Sequence, residues 1–131
     1  MNELKIKTNK RNEMIDITDM IQDYISKKDI ENGFTIIYTP HTTAAVTINE
    51  GADPSVQRDI IKKLENIIPK NDDYHHSEGN SDAHIKSSII GVSEMVFIEN
   101  KKLVLGTWQS IYFYEGDGPR TRKIYVDIFK K

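Results

Sequence analysis

Three histidines stand where an imidazole has company: His41, His76 and His84. His41 opens His41-Thr42-Thr43, directly after the apolar run Gly33–Thr39 and Pro40, so a ring and two hydroxyls meet at a strand junction. That offers a ligand or base with hydrogen-bond donors beside it, or simply a turn histidine with one local bond. His76 and His84 lie in Tyr74-His75-His76-Ser77-Glu78-Gly79-Asn80-Ser81-Asp82-Ala83-His84. Imidazole is a common side-chain ligand for zinc and similar metals, and carboxylates complete such sites. A His-x₇-His spacing matches no standard zinc pattern, so a solvated histidine-rich loop is the competing reading. Gly79 permits unusual backbone angles. Asp82, two residues before His84, would ligate or orient an imidazole.

Three further segments carry chemistry. Glu50, in Asn49-Glu50-Gly51-Ala52-Asp53-Pro54, ends a strand before a glycine and suits a general base or a magnesium ligand, whereas Asp53 reads as a helix cap. Gly106-Thr107-Trp108-Gln109 holds the only tryptophan. By itself Trp108 reads as a core anchor with its indole N–H satisfied, and the functional alternative is a stacking wall for a flat ring. In Glu115-Gly116-Asp117-Gly118-Pro119-Arg120-Thr121-Arg122, the two arginines are two apart and are expected to point the same way on a strand. Such a pair suits a phosphate or carboxylate, or forms a charged hairpin rim.

The elements that must position these residues follow from periodicity. Leu4, Ile6 and Thr8 alternate with charged residues as in a half-exposed strand, and Ile15 and Ile17 suggest a second short one. Thr18 is expected to cap a helix with Met20, Ile21, Tyr24 and Ile25 on its apolar side, Lys27 and Lys28 in its last turn and Asn32-Gly33 at its end. Gly33–Thr39 and Ala44–Asn49 read as strands. Asp53-Pro54 starts a second helix with Val56, Ile60, Ile61, Leu64, Ile67 and Ile68 on one face, stopped by Pro69. Residues 70–83 read as a loop. Met95–Glu99 and Leu103–Leu105 flank a turn at Asn100–Lys102. Gln109–Glu115 and Thr121–Phe129 flank a second turn at Gly116–Pro119, with Ile124, Val126 and Ile128 on one face of the last strand. Strand runs with two inserted helices predict an α+β fold, a largely antiparallel β-sheet or sandwich with two main helices, in a single domain over residues 1–131.

Composition narrows the field. The chain has 131 residues, 37% hydrophobic and 29% charged, with a formal net charge of −2. That balance argues against a general nucleic-acid binder while leaving room for a local anion site. The absence of cysteine removes disulfides, thiolate metal sites and thiol nucleophiles. No apolar run approaches the roughly 20 residues of a membrane span or the pattern of a signal peptide. The expectation is a cytoplasmic monomer or small homo-oligomer, without nucleic acid or membrane as partner.

Together, HTTAAVTINEGADPSVQRDI, YHHSEGNSDAHIKSSIIG and LVLGTWQSIYFYEGDGPRTRKI resemble the YjbQ family (UPF0047), with the match running from about Phe34 to the C-terminus. The resemblance implies a compact α+β fold, a homotrimer and a weak activity of the thiamine phosphate synthase type. That reaction joins a pyrimidine methyl pyrophosphate to a thiazole phosphate with release of pyrophosphate. It carries over to His41, Glu50, His76, Asp82, His84, Thr107, Trp108, Gln109, Glu115 and Arg120. The loop between His76 and His84 is shorter here than in many members. The implied roles are catalysis by His41, Glu50 and Arg120. Ligand binding would fall to Thr107, Trp108, Gln109 and Arg122. A divalent metal would sit on His41, His76 and His84, with zinc, nickel or iron favoured by nitrogen ligands and magnesium by a pyrophosphate. The alternatives are a metal-dependent phosphohydrolase and a non-catalytic module that binds a small phosphorylated ligand.

Overall fold

The computed structural model describes all 131 residues. Eight strands and three helices follow one another as β1 (Asn2–Lys7), β2 (Glu13–Asp16), α1 (Thr18–Ser26), β3 (Gly33–Tyr38), β4 (Ala44–Glu50), α2 (Pro54–Ile67), α3 (Ser81–Ile90), β5 (Ser93–Glu99), β6 (Lys102–Leu103), β7 (Gln109–Glu115) and β8 (Thr121–Lys130). They form a five-stranded sheet in the order β1-β8-β3-β5-β6 and a three-stranded sheet in the order β2-β7-β4. Every strand pair is antiparallel. The α+β architecture therefore stands as expected, with a third helix added.

Alternation along the strands builds the core. Ile37 on β3, Ile124 and Val126 on β8, and Val96 and Ile98 on β5 turn inward to meet Val46 of β4 and Ile111 and Phe113 of β7. Ile17, Ile21 and Ile25 close one side of this core, the last two from α1. β7 is buried on both faces over Ile111–Glu115, with Ile111 and Phe113 turned into the core. Gln57 of α2 reaches the Tyr112 hydroxyl on its outer face at 2.7 Å. Gly33 is required where β3 meets β8, since a Cβ there would run into the carbonyl oxygen of Phe129.

Several local expectations are met. Asp53 accepts from the Ser55 amide at 2.9 Å, and Pro54 sits in the first turn of α2. Asn100 and Lys101 adopt positive φ (52° and 67°), the tight hairpin geometry that joins β5 to β6.

Others are corrected. Thr18 does not cap α1: the Asp16 carboxylate accepts its amide at 2.9 Å, and its own hydroxyl accepts from Ile111 N at 2.8 Å. α1 ends at Ser26, before the two lysines and well short of Gly33, which opens β3. The Gly116–Pro119 turn is not a hairpin, because β7 and β8 belong to different sheets and the turn carries the chain between them. The loop ends at Asn80, where α3 begins. α3 escapes periodicity because its polarity is inverted: Ser81, Asp82, Ala83, Lys86 and Ser87 are buried, while Ile85 and Ile89 face out.

Candidate functional site

The sandwich end where β8 begins gathers most of the charged chemistry. Glu115, fully buried at the end of β7, accepts from Arg122 Nε at 2.8 Å and again from Nη2. It also accepts from the Thr8 hydroxyl at 2.9 Å and the Asp117 amide at 2.9 Å. Arg122 Nη2 reaches the Thr43 hydroxyl at 2.8 Å. Arg122 is thus a neutralised, buried group, with Nη1 left without a protein partner. Arg120 does not share its direction. It is exposed and holds the turn through the Asp117 carbonyl at 3.0 Å and the Asp117 carboxylate at 3.2 Å. The expected arginine pair splits because Arg120 lies in the turn before β8, where strand alternation does not operate.

α3 is anchored by a second ionic group. The wholly buried Asp82 takes a bidentate fork from Arg11, both bonds at 3.0 Å, and Lys86 Nζ at 3.1 Å. Burial pushes the Asp82 carboxyl up, but the hydrogen bonds from Arg11 and Lys86 outweigh it and hold it below the usual carboxylate range. Asp82 is therefore committed to anchoring α3 and is not free to ligate a metal. Neither Lys86 nor Arg11 stood out from sequence. The signal is the Asp82–Lys86 spacing of four, meaningful only once the segment is known to be a helix.

Anchored in this way, α3 presents His84, Ser87, Ser88 and Gly91 along one wall of an open groove. Tyr38, Pro40, His41 and Thr42 form the facing wall. The Lys123 amide donates to His41 Nε2 at 3.1 Å, so the neutral ring carries its proton on Nδ1. Burial lowers the His41 pKa first, and the nearby cations Arg122 and Lys123 lower it further, which keeps the ring neutral at neutral pH. On its other side, His84 borders a second groove with Tyr74, His75 and His76. The His76 and His84 rings meet edge to face, with centroids 5.4 Å apart. His75 and His76 are both exposed.

The three histidines thus follow one surface track with His84 in the middle, but they do not close on a point. No group of three or more His, Asp and Glu side chains gathers as a metal site, and His41 Nε2 is already occupied. A three-imidazole site does not fit one chain; the His76–His84 pair supplies two donors.

The other half of the expected set lies elsewhere. β4 runs from Ala44 to Glu50, a span of roughly 20 Å at about 3.3 Å per residue, and His41 precedes one end while Glu50 closes the other. The Glu50 carboxylate accepts from the Ala52 amide at 2.7 Å. Gln109 Oε1 accepts from the Gly106 amide at 2.7 Å, and Gly51 N donates to the Trp108 carbonyl at 2.8 Å. Glu50, Thr107, Trp108 and Gln109 therefore share one corner, remote from His41, His84 and Arg122. Trp108 is no core anchor: it is 65% exposed.

The sequence profile described as UPF0047 protein YjbQ-like matches residues 2–131, so it takes in β1, β2 and α1 as well as the segments that carried the resemblance. A UPF0047 protein of Methanocaldococcus jannaschii is 56% identical over 95% of this chain and 90% of its own length. The UPF0047 protein YugU of Bacillus subtilis is 49% identical over 95% of this chain and 96% of its own. A crystal structure from Clostridium acetobutylicum, described as an uncharacterized conserved protein of the family, superposes with a TM-score of 0.96 at 49% identity. It covers 98% of this chain and 100% of that one. Fold, length and sequence agree: the chain belongs to the YjbQ/UPF0047 family.

Proposed function

We propose that the groove between His41-Thr42 and α3 binds a small phosphorylated ligand, and that the chain uses it for a weak displacement of the thiamine phosphate synthase type. The observation that carries the reading is the pinned ring of His41. Lys123 N–H fixes Nε2, which leaves Nδ1–H as the ring's remaining donor at the groove. Donors of this kind suit a pyrophosphate leaving group, on which charge accumulates as the bond breaks. In that reaction the thiazole nitrogen attacks the pyrimidine methylene, a carbon–nitrogen bond forms, the carbon–oxygen bond breaks, and pyrophosphate departs with the electron pair. His41 would hold a departing oxygen, Arg120 would add charge at the rim, and Arg122, buried on Glu115, would hold Thr43 beside the ring. A divalent ion, if used, is proposed to sit on the His76–His84 pair. The homotrimer implied by the family belongs to the same proposal.

Binding without turnover is the second reading, favoured by the distance between Glu50 and this groove within one chain. Titration with inorganic pyrophosphate, followed by ³¹P NMR, tests the shared core of both: the wild type binds and His41→Ala binds more weakly. Equal affinity in the two would overturn it. A product assay with the pyrimidine and thiazole phosphates then separates the two, since bond formation above the uncatalysed rate requires the enzyme. Metal analysis of the purified chain and of His84→Ala checks the ion.

A further inference from the structure

We infer that residues 69–79 form a strap that closes over the His41–His84 groove when a ligand occupies it, the open groove being the resting state. This builds on the placement of a phosphorylated ligand in that groove.

The two ends of the strap are fixed and the part between them is not. On one side Ile68, the C-cap of α2, is the last buried anchor. On the other, Asn80 Nδ2 donates to the Asp117 carboxylate at 2.9 Å, and Asp82 holds α3 to Arg11 and Lys86. Between these points Pro69 and Tyr74 are half-buried and every other residue is exposed. The hydrogen bonds of the segment stay inside it. The Tyr74 amide donates to the Asp72 carbonyl at 2.9 Å, the Asp73 amide to the Asp72 carboxylate at 2.8 Å, and the Tyr74 hydroxyl to the Pro69 carbonyl. His76 Nε2 lies 3.9 Å from Glu78 Oε1, again within the strap. A segment with few buried contacts and no bonds to the body opens at little cost. α2 adds little restraint, since none of its residues is buried and Gln57, near its start, makes its polar ties to the smaller sheet.

Gly79 supplies the hinge. Its φ is +83°, in the left-handed region that glycine enters freely, and nothing lies within 4 Å of where a Cβ would stand. It comes just before the clamped α3, so rotation there swings the strap and leaves the helix in place.

The strap carries His75 and His76 to the edge of the groove. The His76 ring meets His84 edge to face at 5.4 Å, and His84 is the wall that the two grooves share. The open strap therefore rests one side chain away from the ligand. A pyrophosphate on the His41 side offers His75 and His76 a partner that the open state lacks, and such a difference in contacts is what shifts an equilibrium between two conformations. Asp72, Asp73 and Glu78 oppose approach to an anion, so closure depends on the two imidazoles and is lost with them. A closed strap also keeps water from competing in a displacement at carbon.

Hydrogen–deuterium exchange read by mass spectrometry tests closure, with and without inorganic pyrophosphate and with a chelator that keeps metal off His76 and His84. In the free protein the amides of residues 70–79 should exchange at least about 100-fold faster than those of β7. Pyrophosphate should slow them about tenfold or more. The double change His75→Ala and His76→Ala, on exposed side chains, should abolish that slowing while exchange in β7 and the circular dichroism stay as in the wild type. Strap amides as protected as β7 in the free protein overturn the inference, as does undiminished slowing in the double variant. The ³¹P titration separates the failures. Binding without protection of the strap overturns closure and leaves the groove as the ligand site, whereas absence of binding overturns both.

Discussion

Where β8 begins, Arg122, Glu115, Lys86 and Asp82 are buried and paired, with Arg11 and Thr43 completing their bonds. At the far end of β4, Glu50, Thr107, Trp108 and Gln109 lie at the surface or partly exposed, and Glu50 and Gln109 bond within their own turns. The family resemblance treats both groups as one functional set, yet the chain treats them oppositely. A buried ionic cluster costs desolvation and is retained for what it positions. Here it holds α3 and β8 so that His41 and His84 face each other across a groove. The exposed corner contributes to the fold through backbone and turn bonds, while the Trp108 side chain stands in solvent.

The contrast is most easily broken at the buried end. Asp82→Ala leaves the buried Lys86 without its carboxylate and is expected to lower stability by about 3–5 kcal/mol in urea unfolding. Combining Asp82→Leu with Lys86→Met should cost less than Asp82→Ala, because the buried ammonium goes with the carboxylate and only the half-buried Arg11 loses its partner. Equal losses would mean that the pair supplies attraction rather than position. A smaller effect concerns the ligand. Removing the His41 donor should weaken pyrophosphate binding roughly 10- to 100-fold, the worth of about 1.5–3 kcal/mol for a hydrogen bond to a charged group. Folding should be almost unchanged.

Acid probes the same end more gently. The folded-state pKa of His41 lies below its unfolded value near 6.5, so the unfolded chain binds more protons as pH falls through that range. Stability should therefore fall as pH drops below about 6.5, and His41→Ala should remove that part of the slope. The depressed Asp82 carboxyl acts lower: its contribution is present above about pH 4 and is lost as pH falls toward its folded value. The smallest effects belong to the exposed corner. In dilute, monomeric protein, Trp108→Ala and Glu50→Ala should each stay within about 0.5 kcal/mol of wild type by chemical denaturation. A loss of several kcal/mol there would show that these two side chains support the fold.

Much of the fold was legible because local rules decide it. Alternation marked β1 and the apolar face of β8, β-branched and aromatic runs marked β3 and β4, Asp53-Pro54 marked the start of α2, and Asn100–Lys102 marked a tight turn. The candidate groups were also visible as types: imidazoles after a strand and in a polar loop, and guanidiniums after a glycine-rich turn. α3 was illegible because the usual sign of a helix is an apolar inward stripe, and this helix buries Asp82, Lys86 and Ser87 instead.

By itself, then, the sequence determined which segments are strands, which faces are apolar and which side chains carry chemistry. Neighbouring residues impose those features through backbone geometry and the removal of apolar surface from water. Only the tertiary structure decided that β7 and β8 part into different sheets, that Arg122 is spent on Glu115, and that Asp82 answers Arg11 across 71 positions of chain. It also decided that one β-strand's length separates His41 from Glu50 and Trp108. Ion pairs and sheet membership join residues far apart in sequence, and no local period records them.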